Sequence, residues 1–237
     1  MRHQVIFGTT IIEYEVIYSK RKTISIQVYP DGRVLVRAPI GVKHIKIEPF
    51  VLKRAEWVVK HQRRFKENPV VVPTPRQYHE GEIYRYLGRE YRLKIIEAGK
   101  EAVRLDQESL MVALADTTDT ERIGVLINRW YRKQAERIFA ERLAACFPQV
   151  EWMGVEYPKL TIRDMKSRWG SCSAKKKVAL NLRLIQVSED LIDYVVLHEL
   201  CHLKELNHSP AFYALMDKIL PDWREYRQRL NQVQVTV

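Results

Sequence analysis

The apolar positions change period several times along the chain, and each change marks an element. Val5 to Phe7, Ile11 to Tyr18, Thr23 to Tyr29 and Arg33 to Ala38 are rich in Val, Ile, Tyr and Thr and predict strands, the last two joined by a tight turn at Pro30-Asp31-Gly32. From Ile47 to Glu67 the period becomes helical, with Pro49 near the first turn and Phe50, Trp57, Val58 and Phe65 available for packing. Asn68 to Pro75 interleaves prolines with Val70, Val71 and Val72 and predicts an extended connector. Short strands follow at Glu82 to Leu87, Glu90 to Ile96, Ala102 to Leu105 and Ser109 to Ala113. Tight turns at Leu87-Gly88-Arg89 and Ala98-Gly99-Lys100 punctuate them, which predicts an antiparallel sheet.

A capping box, Thr118-x-x-Glu121, opens a long helix in which Ile123, Ile127, Trp130 and Ile138 recur at helical spacing up to Pro148. Lys159 to Arg163 and Val178 to Leu184 then predict two strands around the loop R-D-M-K-S-R-W-G-S-C-S. Ser209-Pro210, an N-cap followed by proline at the first helical position, opens a further helix through Phe212, Leu215, Met216 and Ile219, and Pro221 begins the last. The expected class is α+β, with a β-rich N-terminal lobe carrying one long helix over residues 1–115 and a second lobe over residues 116–237. No internal repeat is visible.

Between those helices lies a segment with a different logic. Leu191, Ile192, Val195, Val196, Leu197, Leu200 and Leu203 make it apolar on nearly every side, so it predicts a buried helix, with Ser188 as N-cap, Glu189 and Asp190 in the first turn, and an end near Leu206. Yet it carries His198, Glu199 and His202. Two histidines four apart project from one helix face about one turn apart and can reach one ion. Glu199 points roughly 100° away around the helix, where it is placed to act as a base on water. Burying two imidazoles and a carboxylate without a partner is costly, and a metal ion supplies the compensation.

A catalytic zinc keeps three protein ligands and an open position, so a third ligand is required. His208 completes H-E-x-x-H-x5-H and follows Asn207, a residue that tolerates the left-handed conformation in which helices end. Glu205, seven residues after His198, returns to the same face if the helix runs straight. His208 is favoured, because a turning chain delivers it from a new direction. The chemistry this predicts is hydrolysis assisted by zinc, which lowers the pKa of water to about 7, with Glu199 accepting the proton and passing it to the leaving amine. Arg163 and Arg168 are candidates for stabilising the developing oxyanion. Trp169 and Gly170 shape the loop, and Asn181 is a candidate contact for an extended peptide that adds itself to a sheet edge.

The run H-E-L-C-H-L-K-E-L-N-H-S-P-A-F-Y, with R-D-M-K-S-R-W-G-S-C-S and V-A-L-N-L-R-L upstream, resembles the bacterial YgjP-like metallopeptidase family of zinc-dependent hydrolases and, more distantly, the SprT-like proteases. S-K-R-K-T-I-S-I-Q-V-Y-P-D-G-R-V-L-V-R-A-P and Y-L-G-R-E-Y-R-L extend the resemblance over nearly the whole chain. It implies a zincin-like catalytic lobe, His198, His202 and His208 as Zn²⁺ ligands, and Glu199 as catalytic base.

Composition narrows the classes. The 237 residues, 46% hydrophobic, suffice for a sizeable core, and with neither a long apolar run nor a signal-peptide pattern the expectation is a cytoplasmic protein with no membrane partner. Cys146, Cys172 and Cys201 form no C-x-x-C pair, so neither a disulfide framework nor a cysteine zinc knuckle is expected, and Cys201 reads as a core residue. The formal charge of +11 suits an acidic partner, nucleic acid or nucleotide, although the basic residues are scattered. Tyr84, Tyr86 and Tyr91 read as half-buried strand residues rather than a base-stacking platform. The leading expectation is a metallopeptidase acting on protein or peptide, including protein bound to nucleic acid. The alternative is a metal-dependent nucleoside triphosphate pyrophosphohydrolase of the UTP type. Against it, the E-x-x-E and E-x-x-D carboxylate clusters that hold magnesium are lacking. A non-enzymatic protein with structural zinc would need a fourth ligand, and none is evident.

Overall fold

A computed structural model describes residues 2–29, 31–67, 76–165, 168–173 and 175–233. Its first strands, β1 (Arg2–Phe7), β2 (Thr10–Ser19), β3 (Ser25–Val28) and β4 (Val34–Pro39), form a sheet of order β1-β2-β4-β3. The outer pairs are antiparallel and the central pair, β2 with β4, is parallel. Ile12, Tyr14, Val36 and Ala38 pack with Ile47 and Val51 of α1 (His44–Leu52) and with Ala55 and Val58 of α2 (Ala55–Glu67). The single helix expected from Ile47 to Glu67 is therefore two. The Arg54 N–H bonds the Val51 carbonyl three residues back, which tightens and ends α1, while the apolar positions keep a helical spacing across the break. Pro49 lies inside α1, not in its first turn. The connector expected at Asn68 to Pro75 and the turn residue Pro30 lie outside the described residues.

The next four strands, β5 (Ile83–Tyr86), β6 (Arg89–Glu97), β7 (Ala102–Leu105) and β8 (Ser109–Leu114), repeat that topology as β5-β6-β8-β7. The sheet is not wholly antiparallel as expected, because β6 and β8 pair in parallel with Leu93 opposite Leu110. Burial decides the order: Leu110, Val112 and Leu114 of β8 are enclosed and take the centre, while β7 leaves Ala102 and Arg104 exposed and takes the edge. Tyr84 and Tyr86 are core residues, not a stacking platform. Leu87 and Gly88, both at positive φ (47° and 79°), close the β5–β6 hairpin. Their N–H groups bond the carbonyls of Ile185 and Gln186, and a Cβ on Gly88 would lie 3.1 Å from the Ser188 Cβ, so the hairpin tip rests on the segment that leads into the buried helix.

Thereafter come α3 (Thr120–Cys146), β9 (Lys159–Arg163), β10 (Gly170–Cys172), β11 (Lys177–Asn181), α4 (Glu189–Cys201), α5 (Pro210–Ile219) and α6 (Trp223–Gln232). The N-cap of α3 is Asp119, whose carboxylate accepts from the Arg122 N–H at 2.8 Å; the Thr118 hydroxyl, expected there, bonds Asp116 instead at 2.6 Å. A third sheet has the order β10-β11-β9, with β11 parallel to β9 and antiparallel to β10. β11 ends at Asn181, and Leu182–Gln186 turns as a 3₁₀ helix where a strand to Leu184 was expected. The chain is α+β and divides into two compact units, Met1–Val72 and Pro73–Val237. The division expected at residue 115 falls inside the second unit, because Tyr84, Leu93 and Leu110 of the β5–β8 sheet share one apolar core with Ile127 of α3 and Leu200 of α4.

Candidate metal centre

α4 is enclosed as its sequence requires: Leu191, Ile192, Val195, Val196, Leu197 and Leu200 are all buried. Arg142 of α3 clamps it from the side, its Nε donating to Asp193 Oδ1 at 2.6 Å. Ser188 holds the N-cap position through its carbonyl, which accepts from Leu191 and Ile192, and its hydroxyl makes no capping bond to the helix backbone. Two polar side chains are nearly sealed in, Glu199 at 4% exposure and His202 at 8%, while His198 is half-buried.

The helix stops at Cys201, five residues before the expected end at Leu206. Tight bonds from Leu203 to Leu200 and from Lys204 to Cys201 turn the chain, and Asn207 is not among the residues at positive φ. This turn brings the Glu205 carbonyl back to His202 Nδ1 at 2.8 Å. A carbonyl only accepts, so Nδ1 carries a proton, and in the neutral ring Nε2 is then the nitrogen with a lone pair for an ion. Ser209 then caps α5 by accepting from the Phe212 N–H, as its sequence predicts.

The result is a cluster. One ring nitrogen each of His198, His202 and His208 lie within 4.8 Å of one another, and the His198 and His208 Nε2 atoms are 3.0 Å apart. Tetrahedral zinc with nitrogen ligands at 2.0–2.1 Å would hold such atoms about 3.4 Å apart. The Glu205 carboxylate is not part of this group, since the early helix end carries it off the face it would share with His198. Phe212, fully buried, is the common floor: its ring centroid lies 4.9 Å from that of His198, 4.4 Å from His202 and 4.8 Å from His208. Burial, with His202, His208 and Arg227 nearby, pushes the His198 imidazole down to about 3, and burial lowers His208 as well. Both rings are therefore neutral donors at physiological pH.

Glu199 sits beside this cluster in a tight slot. A Cβ on Gly170 of β10 would lie 2.6 Å from its Oε1, and its Oε2 is sealed without a hydrogen-bond partner among the described residues. Burial pushes its carboxyl up to about 8, against the opposing pull of Arg168. A cleft of about 430 Å³ opens over Glu199 and the three histidines. Of the candidate substrate contacts, Arg168 and Trp169 line it. Arg163, at the exposed end of β9, is not among its lining residues. Asn181 is buried and faces the loop instead: its Nδ2 donates to the Met165 and Arg168 carbonyls at 2.7 and 2.8 Å, and its Oδ1 accepts from the Arg183 N–H. It ties down the loop before β10 and is not among the residues that line the cleft.

Sequence reasoning missed Arg227, Tyr194 and the part played by Phe212. Tyr194 lines the cleft one turn before His198 on α4, a spacing that was legible. Arg227 comes from α6, and no local pattern points to it.

A family model described as YgjP-like, metallopeptidase domain, matches residues 22–233. Among solved structures the chain is similar to the metallopeptidase zymogen abylysin of Pyrococcus abyssi, at 24% identity over 39% of this chain and 90% of that one, with a TM-score of 0.36. It is similar also to the zymogen jannalysin of Methanocaldococcus jannaschii, at 26% identity over 41% of this chain and 93% of that one, with a TM-score of 0.32. No curated protein matches.

Proposed function

The chain belongs to the YgjP-like metallopeptidase family, and from that premise we propose that it is a zinc-dependent peptidase in which His198, His202 and His208 hold the ion and Glu199 is the general base. The observation that carries this reading is the convergence of three imidazole nitrogens within 4.8 Å beside a sealed carboxyl. The donor set supports zinc: three imidazole nitrogens, no carboxylate oxygen, and a fourth side open to a cleft. When bound, zinc supplies Lewis acidity, which makes water easier to deprotonate near pH 7 and polarises a carbonyl.

The protein's own residues supply the rest. Glu199 lies in the slot beside the histidines, and the charge of a bound ion would favour its ionised form over the neutral form that burial favours, so that it would take a proton from the attacking water. The water oxygen bonds the peptide carbonyl carbon, the carbon–nitrogen bond breaks, and Glu199 returns the proton to the leaving nitrogen. β10 is an edge strand, and its Gly170 touches Glu199, so a peptide added to that edge would run beside the base. Phe212 and the His202–Glu205 bond orient the rings.

The test is metal analysis of the purified protein followed by parallel assays on an unfolded protein and on nucleoside triphosphates, before and after a chelator. Zinc near one per chain and chelator-sensitive proteolysis are expected. Triphosphate hydrolysis without proteolysis, or proteolysis that survives complete metal removal, would sink the reading.

A further inference from the structure

Three arginines lie close together on α6, and their surroundings differ. Arg224 pairs with Asp217 at 2.6 Å, and Arg229 pairs with Asp190 at 2.6 Å. Arg227, between them in the chain, has neither a carboxylate nor a hydrogen-bond acceptor among the described residues, and it lines the metal cleft. Arg168, from the loop before β10, lines the same cleft, and apart from its electrostatic pull on the sealed Glu199 its side chain has no ion pair or hydrogen bond among the described residues. The one acidic residue in the lining is Glu199, which is sealed against Gly170 and faces inward. The cleft thus presents two guanidinium groups and no solvent-facing anion.

The environment favours a strong contact. Trp169, Tyr194 and Leu230 give the cleft apolar walls, where a charge-assisted hydrogen bond is worth more than in open water. A guanidinium fork matches a carboxylate with two parallel bonds, which a neutral amide does not provide. Building on the peptidase reading above, we infer that Arg227, with Arg168, selects peptides that carry a carboxylate close to the scissile bond. Two sources offer that chemistry: an acidic side chain, or the peptide's own C-terminus. Arg227 is then a specificity-determining residue, acting on the substrate and not on the proton transfer.

The experiment uses the full chain, zinc-loaded and carrying Glu199→Gln so that peptides are bound but not cut. One hexapeptide is titrated in three forms: with an internal glutamate and an amidated end, with a neutral sequence and a free C-terminus, and with a neutral sequence and an amidated end. The expected result is binding of the first or the second about ten- to a hundredfold tighter than the third, and which of them gains identifies the source. Adding Arg227→Ala removes at least tenfold of that preference, and Arg227→Glu reverses it toward the same peptide with lysine in place of glutamate. Arg227 is exposed, so both variants keep the fold, as a thermal melt will verify. Equal binding of all three peptides, no binding of any, or a preference that survives both substitutions overturns the inference; survival would mean that the carboxylate is held by the ion alone. Failure of the peptidase reading looks different: the binding order and its dependence on Arg227 hold, but the zinc-loaded protein with native Glu199 leaves every peptide intact.

Discussion

Gly170 and Glu199 interlock: a Cβ at position 170 would lie 2.6 Å from Glu199 Oε1 and 2.7 Å from its Cγ, on a side chain that is 4% exposed and has nowhere to retreat. The absence of a side chain at position 170 is therefore what lets the carboxyl sit beside the histidine cluster. Gly170→Ala is expected to displace Glu199 while leaving the three histidines untouched. Hydrolysis should fall by about 10²-fold with zinc content unchanged, as a misplacement near 1 Å implies. Loss of zinc in the same variant would show that the substitution acts on the ligands instead.

Glu199→Gln is expected to retain zinc and to lose roughly 10²- to 10⁴-fold in hydrolysis, the usual loss for a general base. The same substitution tests the carboxyl's environment in metal-free protein. Glu199 is raised from an ordinary value of 4.5 to about 8, so its contribution to stability is whole below pH 4.5 and is lost as pH rises through 8. Metal-free protein should lose stability relative to the Gln variant between pH 5 and 8, by at most about 1.4 kcal/mol per pH unit. Melts of both proteins across that range decide it, and parallel pH profiles would place the carboxyl in contact with water.

His208→Ala should purify with little zinc, because one of three ligands is gone, while Glu205→Ala should keep it. His202 Nδ1 uses only the Glu205 backbone carbonyl, which alanine retains. Changing a residue that touches a ligand and not the ion weakens binding by about 10- to 100-fold at most. Zinc titration of the two variants separates them, and the opposite order would assign the third ligand to the Glu205 carboxylate.

Asn181→Ala should destabilise the protein by about 1–3 kcal/mol, since the Met165 and Arg168 carbonyls lose their buried donor. Because the side chain faces the loop and not the cleft, activity and stability should fall together. A rise in KM alone, with an unchanged melting temperature, would instead make Asn181 a substrate contact.

What the sequence determined by itself is what repeats or recurs locally. The apolar faces of α3 and α5, the Ser209-Pro210 start, the sealed character of α4 and the H-E-x-x-H spacing all follow from neighbours within a turn or two of one another. Tertiary structure decided whatever joins distant segments. It set the parallel pairing of β6 with β8, where the more apolar strand took the centre, and it made one core of the β5–β8 sheet with α3 and α4. It turned Asn181 inward to carbonyls more than ten residues away in the chain. It ended α4 at Cys201, where the local pattern alone would have continued, because the turn lets the Glu205 carbonyl reach His202. Arg227 shows the limit most plainly. On α6 it is one basic residue among several, and only the packing that pairs Arg224 and Arg229 and leaves Arg227 over the cleft distinguishes it. Charge is written in the sequence, but whether a charge is neutralised depends on which distant carboxylate the fold brings beside it.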